Sequence, residues 1–289
     1  MSEQPDGEER APAMTGIERV ELDYGVATDV GLVREVNEDS LLATPPVFVV
    51  ADGMGGHDGG DIASRIAVEE FGRLAESGYD PRRGAHEVLA TLRAGQRRLL
   101  EYGASHRGSD GGPWHGGTTA VVAMVVEGDD GPEWLLTNLG DSRIYRFHAG
   151  ELHRVSTDHS VVQGLVDSGR ITDEQAMHHP ERHIVTRALG GPDPLDPDFF
   201  QLPLAEAARV LLCSDGVTDL VRDEEIARVL ADHADPRDAA EQIVEAALAA
   251  GGVDNATAVV VDVVGLAEDR SDDSQGERES LHEKQGAVP

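Results

Sequence analysis

Four aspartates lie where strand-like runs of the sequence end or begin, each beside a glycine or another turn residue. They occur in "VVADGMGG" (Asp52), "TNLGDSRIY" (Asp141), "LLCSDGVTDL" (Asp215) and "GVDNATAVVV" (Asp254). A sheet holds such a residue in place while its carboxylate reaches a cleft, and glycine lets a ligand or a carbonyl approach closely. If these carboxylates converge, a cation must offset their repulsion, and oxygen ligands suit Mg²⁺ or Mn²⁺.

Each aspartate also has a simpler interpretation, because Asp-Gly is a common turn dipeptide. Any one of them could serve only to close a turn. The same context at four places favours a shared role, although the sequence alone does not show that the four side chains meet.

Two kinds of hydrophobic pattern indicate the elements that would position these aspartates. Runs rich in Val, Ile and Leu predict strands, and "HAGE" at 148–151 predicts a hairpin turn. The predicted strands cover residues 47–51, 118–126, 133–138, 142–148, 208–214 and 256–264. Apolar residues at helical spacing predict helices, with Gly78 ending the first and Pro81 starting the second. The predicted helices cover residues 60–77, 85–102, 160–168, 172–178, 223–233 and 237–250.

Many predicted strands follow one another across short turns, and two long helices are adjacent in sequence. This arrangement favours an α+β fold with antiparallel sheets over alternating βαβ units. Two sheets with helices packed outside them would bury the apolar faces. One domain is expected over residues 18–266, between tails at 1–17 and 267–289 whose composition predicts disorder.

Composition excludes several classes of partner and compartment. The formal net charge of −31 disfavours nucleic acid and anionic membranes as partners. The single cysteine, Cys213, permits no intrachain disulfide, and the acidic start of the chain does not look like a signal peptide. No apolar run approaches the ~20 residues that span a bilayer. We therefore expect a cytoplasmic protein.

Eight stretches of the sequence, in the same order, resemble the motifs of the metal-dependent PPM family, the protein phosphatase 2C type that acts on phosphoserine and phosphothreonine. They are "GLVREVNEDS", "FVVADGMGGHDGGDIAS", "GGTTAVVAMV", "NLGDSRIYRF", "TDHSVVQGLVDSGRIT", "HPERHIVTRALG", "LLCSDGVTDLV" and "DNATAVVVDV". They cover nearly all of residues 20–264. The resemblance implies a four-layer αββα sandwich, with two stacked antiparallel sheets and a two-metal site at one end.

The resemblance also implies roles for individual residues around two Mn²⁺ or Mg²⁺ ions and a possible third. Asp52 would bridge the two ions, Gly53 would offer its carbonyl to one, and Asp215 and Asp254 would complete the shell of the other. Asp141, together with Asp215, would belong to the third site. The residues expected to hold metal-bound waters are Glu38 and Asp39.

Three further residues have expected roles in the reaction and its metal preference. Arg34 would bind the substrate phosphate through two hydrogen bonds, and His57 would protonate the leaving group. A water shared by the two ions would attack phosphorus. His183 lies on the expected flap at 157–190, where bacterial relatives often have asparagine or serine, and its nitrogen would favour Mn²⁺ or Zn²⁺ over Mg²⁺ at the third site. The simpler interpretation is that His183 faces solvent.

The expected partners are phosphorylated proteins and serine/threonine protein kinases, with the chain itself a monomer. A phosphate loop of the nucleotide-binding or kinase type would need a lysine near "GMGGHDGG", but the only lysine is Lys284. A cysteine-dependent phosphatase would have an arginine six positions after Cys213, where Asp219 stands. The alternative that stays open is an inactive module that keeps the fold and binds phosphoproteins. The complete set of metal aspartates argues against it.

Overall fold

The structure, a computed structural model, describes residues 17, 20–55, 59–108 and 111–266. Twelve strands are found in this part of the chain. In chain order they are β1 (Val20–Asp29), β2 (Ser40–Thr44), β3 (Val47–Ala51), β4 (Gly53–Met54), β5 (Gly117–Thr118), β6 (Ala120–Gly128), β7 (Gly131–Leu139), β8 (Arg143–His148), β9 (Glu151–Arg154), β10 (Asp198–Pro203), β11 (Arg209–Cys213) and β12 (Ala256–Leu266).

The α-helices of the described residues fall into one group of two long helices and a second group of five shorter ones. They are α1 (Gly60–Ser77), α2 (Gly84–Ser105), α3 (Val161–Asp167), α4 (Asp173–Ala176), α5 (Asp215–Thr218), α6 (Asp223–Asp232) and α7 (Pro236–Ala249). Helix α1 ends before Gly78, whose φ of 74° is a conformation that glycine adopts without strain. A 3₁₀ turn at Pro81–Arg83 leads into α2.

Two five-stranded antiparallel sheets form the middle of the molecule. The first has the strand order β1-β12-β11-β8-β9, and the second has the order β10-β7-β6-β3-β2. Strands β4 and β5 form a separate two-stranded ribbon. We call the two large sheets the terminal sheet, which contains β1 and β12, and the central sheet.

Alternation along the buried strands produces three apolar layers. In β3, Val47 and Val49 pack with the side chains of α1 and α2, whereas Phe48 and Val50 face the space between the sheets. Strand β11 alternates in the same way, with Leu211 on the side of α6 and α7. Because successive side chains of a strand point to opposite faces, strands buried on both faces read as continuous hydrophobic runs. The predicted αββα sandwich is confirmed.

The predicted elements match the structure unevenly. All six predicted helices are present within a few residues, and the hairpin at Ala149 and Gly150 has the positive φ values that a tight two-residue turn requires. The single strand predicted at 118–126 is two strands, β5 and β6. The sequence did not predict β1, β2, β4, β9, β10 or the short helix α5.

The predicted domain boundaries fall at the margins of the described residues. Ile17, placed in the N-terminal tail by the sequence, is partly buried against the apolar layer between the sheets. All other residues of the two predicted tails lie outside the described residues, so the domain boundaries stay a prediction. Of the described helices, none combines the length and apolarity needed to cross a membrane.

Candidate metal centre

One end of the sandwich brings together aspartates from both sheets. Asp52 directly follows β3, and Asp141 lies two residues after β7, so both come from the central sheet. Asp215 lies two residues after β11, and Asp254 two residues before β12, so both come from the terminal sheet. The four aspartates therefore lie next to strand ends, as the sequence predicts.

The carboxyl group of Asp52 is surrounded by others. Burial raises the pKa of Asp52 well above its ordinary value, and the negative charges of Asp215, Asp39 and Asp141 raise it further. The carboxyl group of Asp215 is close enough to that of Asp52 for each to shift the pKa of the other.

The same environment acts on the neighbouring carboxyl groups. The pKa is raised to about 7 for Asp39, about 8 for Asp141 and about 6 for Asp215. Burial is the largest cause in each case, and nearby carboxylates add to it. Carboxylates that the fold forces together must be neutralised by protons or by a cation. Divalent Mg²⁺ and Mn²⁺ prefer such oxygen donors, so the residues fit the metal ions that the resemblance implies.

The backbone of Asp52 is fixed by two threonines, Thr118 at the end of β5 and Thr119 directly before β6. The Asp52 N–H donates to Thr119 Oγ1 at 3.0 Å, and the Asp52 carbonyl accepts from the N–H of Thr119 and the hydroxyl of Thr118, both at 2.9 Å. Thr119 Oγ1 is also 2.7 Å from Ser142 Oγ, next to Asp141. These contacts connect the two aspartates of the central sheet.

Glycine is required directly after Asp52. A Cβ added at Gly53 would lie 2.3 Å from the Gly60 carbonyl oxygen and 2.5 Å from that of Glu38. No side chain fits between these backbone segments. The backbone of Gly53 is therefore packed against Gly60 at the start of α1. Gly56, His57 and Asp58 lie outside the described residues.

Asp39 is held by residues of the terminal sheet. The Ser214 hydroxyl donates to Asp39 Oδ2 at 2.7 Å, and Ser214 Oγ accepts from the Thr257 N–H at 3.0 Å. Glycine is again needed close by, since a Cβ added at Gly216 would lie 1.9 Å from the Asn255 carbonyl oxygen. The segments that carry Asp215 and Asp254 are thus in direct backbone contact.

Glu38 precedes β2, and its carboxylate lies close to Gly60 at the start of α1, where an added Cβ would be 2.8 Å from Glu38 Oε1. The N–H of Glu38 donates to Asn255 Oδ1 at 2.8 Å. Burial raises the pKa of Glu38, while the positive charge of Arg34 opposes that shift. Arg34 itself donates to Asp254 Oδ2 at 2.6 Å, and 49% of its side chain is exposed. A guanidinium with this exposure is accessible to an anion from solvent.

The flap brings His183 close to Asp215 and Asp219. His183 Nδ1 lies 3.4 Å from Asp219 Oδ2. Ligand atoms of His183, Asp215 and Asp219 all lie within 4.8 Å of one another, a spacing that could hold a cation. Both burial and neighbouring carboxylates such as Asp158 raise the pKa of Asp219, and the charge on His183 lowers it.

His159 joins the flap to the turn before Asp141. Its backbone N–H donates to the Gly140 carbonyl at 2.9 Å, its Nδ1 accepts from the Gly140 N–H at 3.2 Å, and its carbonyl accepts from the Thr186 N–H at 2.7 Å. Burial lowers the pKa of His159, although its contact with Asp198 opposes that shift. A neutral ring with Nδ1 as acceptor suits this position.

Several residues of the centre were not singled out from the sequence. The sequence could have predicted that Asp219 lies near Asp215, because residues four apart lie on one face of a helix. No local sequence pattern predicts the roles of Ser214, Thr119 and Asn255, since their partners are distant in sequence. His57 lies outside the described residues, so its predicted position beside the metals is untested.

Known proteins are similar to this chain in sequence and in fold. A model of the family described as protein phosphatase 2C matches residues 34–250. The serine/threonine protein phosphatase PstP of Mycobacterium tuberculosis is 37% identical over 245 residues, which are 84% of this chain and 45% of that protein. The chain thus spans about half the length of that relative.

A second relative is matched along almost its whole length. The serine/threonine phosphatase Stp of Listeria welshimeri is 33% identical over 247 residues, 81% of this chain and 93% of the relative. Among solved structures, the catalytic domain of PstP in complex with two manganese ions has a TM-score of 0.71 and 36% identity, and the match covers 84% of this chain and 99% of that one.

Proposed function

The chain belongs to the protein phosphatase 2C family, and from this we propose that it hydrolyses phosphoserine and phosphothreonine in proteins, with Mn²⁺ or Mg²⁺ as cofactor. The observation that carries the proposal is the convergence of the buried Asp52, Asp39, Asp141 and Asp215, whose pKa values are raised by burial and further by the negative charge of neighbouring carboxylates. The relative with two manganese ions supports the choice of metal.

In this proposal the aspartates divide between two ions. Asp52 would serve both ions, the Gly53 carbonyl one of them, and Asp215 with Asp254 the other. Glu38 and Asp39 would hold water at the site through hydrogen bonds. When bound, the ions supply activation of water and stabilisation of charge on the phosphoryl group.

Arg34 orients the substrate phosphate. Its guanidinium already donates to Asp254 at the edge of the carboxylate cluster, and its exposed half can donate to phosphate oxygens. His57 donates a proton to the leaving serine or threonine oxygen. The substrates are phosphorylated proteins, and a serine/threonine kinase that makes them is the expected counterpart. A monomeric chain in the cytoplasm likewise remains part of the proposal.

His183 gives the flap a possible part in metal binding. Together with Asp215 and Asp219 it could hold a third cation, to which Asp141 would contribute through its position beside Asp215. The imidazole nitrogen would favour Mn²⁺ or Zn²⁺ over Mg²⁺ there.

Phosphate release from a phosphothreonine peptide tests the proposed function. We expect turnover that requires Mn²⁺ or Mg²⁺ and stops with EDTA. Asp52→Asn should lose about 100-fold or more, because it removes charge from the centre of the cluster. Asp232→Asn, an exposed change on α6, is the matched control and should have no effect. Wild-type activity in Asp52→Asn at saturating Mn²⁺ would exclude the assignment, and an inactive wild type would favour the phosphoprotein-binding alternative.

A further inference from the structure

Four aliphatic side chains beside Arg34 are exposed to solvent. Leu32 is 71% exposed, Val33 66%, Val36 56% and Val253 50%. They lie on two loops that flank the Arg34–Asp254 ion pair. We call these four residues the aliphatic patch. Exposed aliphatic side chains that cluster at a site, rather than being scattered singly, indicate an interaction surface.

The loops that carry the patch are held firmly by backbone hydrogen bonds. The Leu32 N–H donates to the Gly252 carbonyl at 2.7 Å, which joins the two loops. The buried Asn255 side chain donates to the Val30 and Val36 carbonyls at 2.9 and 3.0 Å, so one amide fixes both ends of the first loop. The patch is therefore preorganised, and binding there costs little ordering of the protein.

The position of the patch and the charge of the chain indicate its occupant. A phosphate bound by Arg34 would bring the residues on either side of the phosphorylated one over Val33, Val36 and Val253, since neighbouring Cα atoms are only about 3.8 Å apart. A second copy of this chain is a poor occupant, because both copies carry a net charge of −31.

We propose that Leu32, Val33, Val36 and Val253 form a docking surface for aliphatic side chains that flank the phosphoserine or phosphothreonine of the substrate. This inference rests on the proposed function. It gives the substrate class a chemical definition: sequences with Val, Leu or Ile within about two positions of the phosphorylated residue are hydrolysed in preference to polar ones.

Two phosphothreonine peptides test the proposal. They differ only at the two residues on each side of phosphothreonine, which are aliphatic in one and serine in the other. For the wild type, kcat/KM should be about tenfold higher for the aliphatic peptide, mainly through KM. In the double variant Val33→Ser and Val36→Ser, the ratio should fall to about twofold. Leu100→Ser, an equally exposed aliphatic change on α2, should keep the wild-type ratio.

Hydrolysis of p-nitrophenyl phosphate, which has no flanking side chains, is measured in parallel and reports the metal centre separately. Equal kcat/KM for the two peptides in an active wild type would overturn the docking proposal alone, whereas absence of activity on every substrate would overturn the proposed function and the docking proposal together. Two other results would also overturn the docking proposal, because each would show another occupant of the patch. One is a dimer in sedimentation that the double variant dissociates. The other is a preference for the aliphatic peptide that appears only after residues 1–16 or 267–289 are removed.

Discussion

The close approach of the carboxyl groups of Asp52 and Asp215 shows how single residues affect one another at this centre. Burial first, and then the negative charges of Asp215, Asp39 and Asp141, raise the pKa of Asp52 and so favour a proton on it. A divalent cation would take the place of the proton and leave both groups ionised. Metal binding should therefore release protons from the protein.

The predicted acid His57 can be tested by the choice of leaving group. We expect His57→Gln to slow phosphopeptide hydrolysis about 100-fold and p-nitrophenyl phosphate hydrolysis only a few-fold, because nitrophenolate leaves without a proton. Steady-state kcat on the two substrates is the measurement. His115→Gln serves as the control, because His115 is exposed and its carbonyl lies close to Gly55 and Gly59. Equal losses on both substrates would assign His57 a role other than proton donation.

His183 makes a separate prediction about metal preference. His183→Asn replaces a nitrogen donor beside Asp215 and Asp219 with an amide oxygen, so binding of the weakest Mn²⁺ ion should weaken roughly tenfold, with less change for Mg²⁺. Calorimetric titration of the metal-free protein with each ion measures this directly. His178→Asn, an exposed change on the same flap, should leave both titrations unaltered. Superimposable Mn²⁺ curves for the wild type and His183→Asn would place His183 outside the metal site.

The sequence could identify the aspartates but not the residues that hold them. Asp52 and Asp215 are recognisable because a charged residue at the end of a buried strand is unusual. Ser214 and Asn255 are ordinary polar residues whose partners, Asp39 and Glu38, lie 175 and 217 positions away. Only the stacking of the two sheets makes those pairs neighbours, and no local pattern reports it.

At the scale of elements, four of the five strands missed from the sequence, all except the two-residue β4, have a common property. Strands β1 and β9 are the edges of the terminal sheet, and β10 and β2 are the edges of the central sheet. Edge strands are covered less completely than central ones, so they contain mixed polar and apolar residues. The central strands β3, β6, β11 and β12 are buried on both faces, and their continuous hydrophobic runs predicted them correctly.

Arg209 joins β11 to the helices that cover the terminal sheet. Its guanidinium forms two hydrogen bonds of 2.6 Å with Asp262 and donates to the carbonyls of Leu230, His233 and Ala234 at 2.6 to 2.8 Å. The side chain is only 11% exposed. One buried cation thus satisfies the carbonyl groups at the end of α6 and a carboxylate of β12.

We expect Arg209→Met to destabilise the protein by about 3–5 kcal/mol, since it leaves Asp262 and three carbonyls without their donor. Urea unfolding followed by circular dichroism gives the change. Arg228→Gln removes an exposed helical ion pair with Glu225 and should cost less than about 1 kcal/mol. Similar unfolding midpoints for the two variants would contradict the structural role of Arg209.

At the scale of the whole molecule, the metal centre couples stability to pH. The pKa values of Asp39, Asp141 and Asp215 are raised in the folded state to about 7, 8 and 6. The folded protein therefore binds more protons than the unfolded chain above about pH 4, and its metal-free form loses stability as pH rises through these values. The lowered pKa of His159 makes stability increase with pH, but this single group opposes the three aspartates.

In EDTA, the unfolding temperature should therefore fall between pH 5.5 and pH 8. Saturating Mn²⁺ should raise it more at pH 8 than at pH 5.5, because protons compete with the metal. A hundredfold excess of Mn²⁺ over its Kd corresponds to about 2.7 kcal/mol. Scanning calorimetry at both pH values measures the difference, and Asp52→Asn should reduce it. An equal gain at the two pH values would contradict the proposed ligand set.

The pairing of β1 with β12 has a consequence for how the protein is made. Val20 is opposite Leu266, and β12 lies between β1 and β11, so a central strand of the terminal sheet is the last part of the fold to be synthesised. Until that strand leaves the ribosome, β1 has no hydrogen-bonding partner and Asp215 is without Asp254. Such long-range pairing folds late. Phosphatase activity should therefore arise only after translation of the domain is complete, and a chain truncated before β12 should be a substrate for proteolysis.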